Sequence, residues 1–240
     1  MKKTLIALAA ATLVSALPVV AHAEEASPLT FNASLTSDYR YRGLSQTRLL
    51  PALQGGADYA GPNGLYVGTW ASTIKWVKDG GGDSNVEIDV YGGWKGEVSA
   101  GLTLDVGALT YVYPSNKLNP SANTTELYAA LSFGPATLKY SHAVTNLFGF
   151  ADSKNSGYLD LSASFDLGDG WAVAPHVGHQ RVAHLSAASY TDYSLTVSKT
   201  IDIWTPSLAI VGTNTDAYTS PKNGKDLGKA GVVAAVKVNF

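Results

Sequence analysis

Cysteine is absent from the chain, and charge is scarce. Without thiols there can be no disulfide, no thiolate nucleophile and no cysteine-based metal site. Charged residues make up only 15% of the sequence and the formal net charge is −2, so there is no basic face of the kind that nucleic-acid binding needs. Long apolar runs are lacking as well. The one candidate, Leu5 to Leu17, is shorter than the roughly 20 residues of a spanning helix. Lys2 and Lys3 precede it and Ala21-His22-Ala23 follows, which reads as a cleavable export signal over 1–23, with the mature chain starting at Glu24. Helical periodicity is also wanting. An exported chain without disulfides or spanning helices needs another source of stability, and a closed, fully hydrogen-bonded sheet is one.

What the chain does contain is glycine (24), tyrosine (13), tryptophan (5) and alternation. Its last stretch shows the pattern most clearly. From Ala230, every second residue through Val232, Ala234, Val236 and Val238 to Phe240 is apolar, while Gly231, Val233, Ala235, Lys237 and Asn239 fall on the other face. A strand that is greasy on one side and wettable on the other suits a barrel wall between lipid and water. On its own it also suits the edge of a soluble sandwich.

About twelve such segments follow one another, over 29–42, 48–59, 65–76, 85–95, 101–113, 124–133, 136–144, 157–167, 171–182, 190–199, 203–213 and 228–240. Most reach the roughly 9–11 residues of a tilted membrane strand; a count of 10 or 14 remains compatible with the roughly ten-residue, even-numbered pattern. Tight Gly, Pro, Asn and Asp turns (60–64, 96–100, 134–135, 168–170, 200–202) alternate with longer polar connections (43–47, 77–84, 114–123, 145–156, 183–189, 214–227). That alternation predicts an all-β, transmembrane antiparallel meander barrel rather than a Greek-key sandwich. Parity then assigns faces. Leu29, Phe31, Ala33, Leu35, Tyr39 and Tyr41 oppose Asn32, Ser34, Asp38, Arg40 and Arg42; Val86, Ile88 and Val90 oppose Glu87 and Asp89; Leu127, Ala129 and Leu131 oppose Glu126; Leu159 and Leu161 oppose Asp160. A watery lumen solvates such acids, whereas a dry core would not. Tyr39, Tyr41, Tyr59, Tyr66, Trp76, Trp94, Trp171 and Trp204 lie near segment ends, where interfacial girdles form. Segments 65–76 and 171–182 mix both kinds of residue on both faces.

Several stretches carry a family likeness: SDYRYRGLSQT at 37–47, PALQGGADYAGPNGLYVGTWAS at 51–72, EIDVYGGW at 87–94, DVGALTYVYP at 105–114, TELYAALSF at 125–133 and YLD at 158–160. Together they resemble the TorF family of bacterial porins, earlier a conserved family of unknown function. The resemblance implies an outer-membrane β-barrel with channel function and defines no substrate or catalytic residue. The terminal Phe240 resembles the C-terminal aromatic that outer-membrane assembly machinery recognises.

Candidate functional residues are therefore lumen charges. Asp38, Arg40 and Arg42 fall at i, i+2, i+4 near the expected mouth, with Arg48 close by. They read either as a selectivity cluster or as an ion-pair network stiffening the wall. Glu87, Asp89, Asp105, Glu126, Lys139 and Asp160 complete the pore-lining set, a mixture that predicts cross-strand pairing. His176 and His179 sit three apart on a strand and so point apart, unsuited to shared ligation. His184 and Ser186 have a spacing compatible with a nucleophile and base, here in an Ala/Ser-rich loop. No catalytic, cofactor or metal site is expected. The expected function is passive diffusion of small hydrophilic solutes or ions across the bacterial outer membrane. The expected partners are outer-membrane lipid, the assembly machinery and the solutes, and nucleic acid is not among them. The rivals are a plugged structural or adhesive barrel with working loops, and a lipid-modifying barrel built on His184.

Overall fold

The chain's alternating segments do pair in sequence order, each with the next. The computed structural model describes residues 27–240, and the expected leader, 1–23, lies outside them. The strands are β1 (Leu29–Thr36), β2 (Arg40–Tyr41), β3 (Leu44–Ser45), β4 (Ala52–Ala60), β5 (Leu65–Thr73), β6 (Val86–Ser99), β7 (Leu102–Val112), β8 (Thr124–Phe133), β9 (Ala136–Ala143), β10 (Gly157–Ala163), β11 (Phe165–Gly168), β12 (Trp171–Arg181), β13 (Tyr190–Lys199), β14 (Trp204–Thr213) and β15 (Gly231–Asn239). Thirteen of them form one sheet. In that sheet β10 pairs with β12 over Gly157–Ser162, and β11 continues the same path over Phe165–Gly168. The break between them, at Ala163 and Ser164, falls opposite Pro175 and Ala174, and Pro175 has no N–H to donate to a ladder. Counting β10 and β11 as one wall strand leaves twelve. All pairings are antiparallel, and the last strand closes on the first, Leu35 opposite Val236. Fold class and strand number agree with the expectation from sequence.

Closure removes every sheet edge, which a strand in lipid requires because no water is present to satisfy free N–H and C=O groups. At the seam Phe31 N–H donates to the Phe240 carbonyl at 2.7 Å, Phe240 N–H returns to Phe31 O at 3.0 Å, and the two rings stack at 6.1 Å. The outward face is apolar all the way round: Leu35, Leu53, Val67, Val90, Leu127, Leu161, Leu195, Leu208 and Val232 are all exposed. Such a belt far exceeds the few hundred Å2 that a soluble monomer shows, and needs lipid against it. In β5 and β12, whose facing composition leaves open, the outward residues include Leu65 and Val67, and Trp171 and Val177.

Three local expectations are corrected. The first strand ends at Thr36, not at residue 42, and the second begins at Ala52, not at residue 48. The chain bends inward at Ser37, so parity does not continue; Tyr39 is buried inside the barrel and not on the lipid face. Trp76 likewise packs edge-on against Tyr113 at 5.0 Å rather than joining a girdle. It opens a one-turn helix, α1 (Trp76–Asp79), at the start of the connection expected to be long and polar. The exposed aromatics that do form a rim are Tyr59, Phe133, Phe165, Trp171, Trp204 and Phe240, all at the short-turn end.

Candidate functional site

The lumen is the candidate site, and the chain just after β1 divides it. β2 and β3 form a hairpin whose two turn residues, Arg42 (φ 46) and Gly43 (φ 78), both have positive φ. That is the type I′ arrangement, which matches strand twist and favours glycine at the second position. Gly43 has a second constraint: a Cβ there would lie 2.7 Å from Asp192 Cβ and 2.6 Å from Thr213 Cγ2. The hairpin tip is thus pressed against the barrel wall.

Arg42 reaches from that tip across the lumen. Nη1 and Nη2 donate to the two Glu126 carboxylate oxygens on β8 at 3.0 and 2.7 Å, and Nη1 also donates to Gln180 Oε1 on β12 at 2.6 Å. Its guanidinium carbon lies 4.1 Å from the Tyr158 ring centre and 4.8 Å from that of Tyr41. A planar fork matched to a carboxylate, with rings above and below, is a geometry lysine cannot reproduce. Arg40 works differently. It donates to Asp38 at 2.5 Å and, through Nη1, to the carbonyls of Gly43, Leu227 and Lys229. It therefore ties the hairpin to the loop before β15. Asp38 also accepts from Ser45 Oγ at 2.5 Å and Thr47 Oγ1 at 3.0 Å. Arg48 does not join this group: it stands on a loop, not on a wall strand, and pairs with Asp79 of α1.

Above and around the hairpin the long-loop end is densely filled. Tyr39, Ile74, Val77, Tyr111 and Tyr113 are buried in one cluster, with Tyr41, Trp76 and Phe148 packed on it. The Tyr41 and Tyr111 hydroxyls meet at 2.7 Å, and Tyr39 donates to Glu87 at 2.6 Å. Glu87 and Glu126 are each only 2% exposed, so water does not reach the wall at that height. Beneath lies a cavity of about 260 Å3, lined among others by Asp38, Arg40, Asp89, Asp105 and Lys139 from the expected set. Arg42, Arg48, Glu87, Glu126 and Asp160 are not on its surface.

The cavity wall has its own construction. Tyr91 lies against Gly68, Tyr66 against Gly93 and Tyr128 against Gly107, each glycine having no room for a Cβ beside the ring. Because the rings lie flat in glycine gaps, tyrosine lines the lumen without filling it. Their hydroxyls are engaged: Tyr91 donates to Asp58 at 2.5 Å and Tyr66 to Asp105 at 2.6 Å. Lys95, Lys139 and Lys237 also line the cavity, and among the described residues none forms an ion pair. Lys139 instead lies 4.2 Å from the Tyr128 ring centre. The cross-strand ion pair expected for Lys139 is not formed among the described residues.

A matched family model now adds to the geometry: the bacterial Gcw_chp family, of unknown function, over residues 21–240. The chain belongs to that family. No curated protein matches it. Among solved structures, a NanC porin superposes with a TM-score of 0.55 and 12% identity, covering 88% of this chain and 98% of the porin. A protein from a study of in-meso crystallization of membrane proteins superposes with a TM-score of 0.54 and 7% identity, covering 88% of this chain and 83% of its own. At such identities the likeness speaks for fold alone, and the fold is a porin-like barrel.

This Gcw_chp barrel also pairs groups whose partners the sequence does not reveal. His176 faces inward, 2.5 Å from Asp160 and 3.6 Å from Asp192, while Tyr158 Oη donates to Asp192 at 2.9 Å. His179 points outward, as the strand alternation requires. Gln180 and Tyr158, both partners of Arg42, carry no charge to draw attention; their parity with Asp160 and His176 is the available signal. In the loop before β13, His184 Nδ1 lies 2.8 Å from the Asp152 carbonyl and 3.3 Å from its carboxylate, an acidic neighbour the sequence does not suggest. Among the described residues it makes no hydrogen bond to Ser186.

Proposed function

We propose that this protein is an outer-membrane channel through which small hydrophilic solutes or ions diffuse passively, with the β2–β3 hairpin as its gate. The observation that carries this reading is the division of the lumen: a polar cavity at one end, closed at the other by a hairpin from whose tip Arg42 bonds to β8 and β12. A latch made of hydrogen bonds and one ion pair releases without unfolding the wall. The apolar belt is read as facing outer-membrane lipid, Phe240 as the element that assembly machinery recognises, and the likeness to TorF porins as common function. No cofactor enters the proposal.

The aromatic packing around Tyr111, Tyr113 and Phe148 favours a second reading, a permanently plugged barrel that works through its loops. Planar-bilayer conductance with solutes of graded size separates the two. The channel reading expects Arg42→Gly, which keeps the turn's positive φ but removes the latch, to raise conductance severalfold and admit larger solutes. If both the natural protein and this variant insert, migrate as folded barrels and stay silent, the gate does not exist and the plugged reading stands.

A further inference from the structure

Asp89 has no partner. It is 3% exposed, its Oδ1 has no hydrogen bond among the described residues, and it forms no ion pair. Every other acid at that level is engaged: Glu87 by Tyr39, Glu126 by Arg42, Asp58 by Tyr91. A carboxylate withdrawn from water and left uncompensated is unstable unless a cation joins it or it takes up a proton. Asp89 also belongs to the cavity surface, at its roof. Trp70 stands opposite Asp89 on β5, Tyr91 follows it two residues on along β6, and Tyr39 and Leu109 line the same cavity, Tyr39 and Trp70 meeting edge-to-face at 5.4 Å. The Tyr39 and Tyr91 hydroxyls are already donated elsewhere, so ring surface is what these side chains have left to offer.

We propose that this niche binds a small organic cation, the ammonium head of a methylated or primary amine, with Asp89 as counter-ion and Tyr39, Trp70 and Tyr91 as walls. Aromatic faces attract cations, and they do so best for ions that are weakly hydrated. A hydrated inorganic ion fits poorly, because calcium or magnesium needs six or more oxygen ligands and the niche offers one carboxylate. Among the described residues no three acidic, histidine or cysteine side chains are grouped to hold a metal. The cavity of about 260 Å3 that the niche opens into has ample room for a methylated ammonium ion. The site holds whether or not the barrel conducts, so failure of the channel reading does not touch it.

The test is calorimetric titration of the folded barrel in detergent with tetramethylammonium and methylammonium chloride, against sodium chloride of matched ionic strength. Saturable binding is expected for the ammonium ions. Asp89→Asn should weaken it at least tenfold and Trp70→Leu several-fold, with Lys117→Ala, an exposed loop residue, as the unaffected control. Retention of heat-modifiable migration on a gel checks that each variant is folded. Asp89→Asn removes a charge without changing shape, so it guards against loss of fold. No saturable binding at pH 7, equal affinity in Asp89→Asn, or competition by sodium at equal concentration would each overturn the proposal; the first of these would mark Asp89 as a neutral acid.

Discussion

At the long-loop end of the lumen Arg42 is enclosed by Glu126, Gln180, Tyr41 and Tyr158, with Nη1 and Nη2 both donating; at the short-turn end Lys95, Lys139 and Lys237 line a cavity with, among the described residues, no carboxylate paired to them. The contrast follows from geometry as much as from charge. An arginine on a hairpin tip is carried off its own wall strand and can meet strands as far apart as β8 and β12, whereas a lysine on a wall strand has a flexible stem and a point charge that water can solvate. Tyrosines take part in both regions. Near the hairpin Tyr41, Tyr111 and Phe148 pack edge-to-face and exclude water, while in the cavity Tyr66, Tyr91 and Tyr128 lie flat over glycines and leave space. Fixed charge in dense packing builds a closure, and free charge over a flat wall builds a passage.

The largest expected effect tests the closure. Arg42→Gly leaves Glu126 buried without its counter-charge, and breaking such a pair typically costs about 3–5 kcal/mol. The temperature at which heat-modifiable migration is lost should fall accordingly, and an unchanged temperature would mean that the latch contributes nothing. A pair of glycine substitutions comes next and compares the halves directly. In Gly178→Ala the new Cβ would collide with Tyr158 Oη, whose ring is held by Asp192 and Arg42, so a cost of about 1–3 kcal/mol is expected. In Gly68→Ala the new Cβ would collide with the Tyr91 ring, which has the cavity to swing into, so the loss should be smaller. Equal losses would contradict the idea that one half is rigid and the other roomy.

Charge reversal sharpens the comparison further. Lys95→Glu, Lys139→Glu and Lys237→Glu in a conducting barrel should move the zero-current potential under a salt gradient toward cation preference. The shift should shrink at 1 M salt, where the Debye length is about 3 Å. Arg40→Gln should shift it less, because the Arg40 charge is spent on Asp38 and three carbonyls. A larger shift from Arg40 would mean that ions pass along the hairpin and not along the lysines. The smallest effect belongs to the outer loops: Asp83→Asn breaks a pair with Lys117 in which both side chains are more than half exposed, and should leave thermal stability unchanged within error.

Strand series, turn alternation and facing are legible in the residue order itself, because a period of two is a local property and lipid on one side enforces it along each strand. Leu127 outward and Glu126 inward, or Leu161 outward and Asp160 inward, need no partner to be read. The site is legible there only as a set of lumen charges. Asp38, Arg40 and Arg42 look like one row because alternation continues through SDYRYRG, and nothing local marks where a strand leaves the wall; the hairpin that follows the inward bend at Ser37 is held by contacts that Arg42 makes 84 and 138 residues away, at Glu126 and Gln180. Gly68, Gly93 and Gly107, which carry no signal of their own in the residue order, prove to be seats for tyrosine rings, since which tyrosine faces which glycine depends on register across two strands. Composition and alternation thus determined a lipid-facing barrel of about twelve strands. Only tertiary structure decided which charges are paired and which are free, because pairing across a lumen joins residues that no sequence period relates.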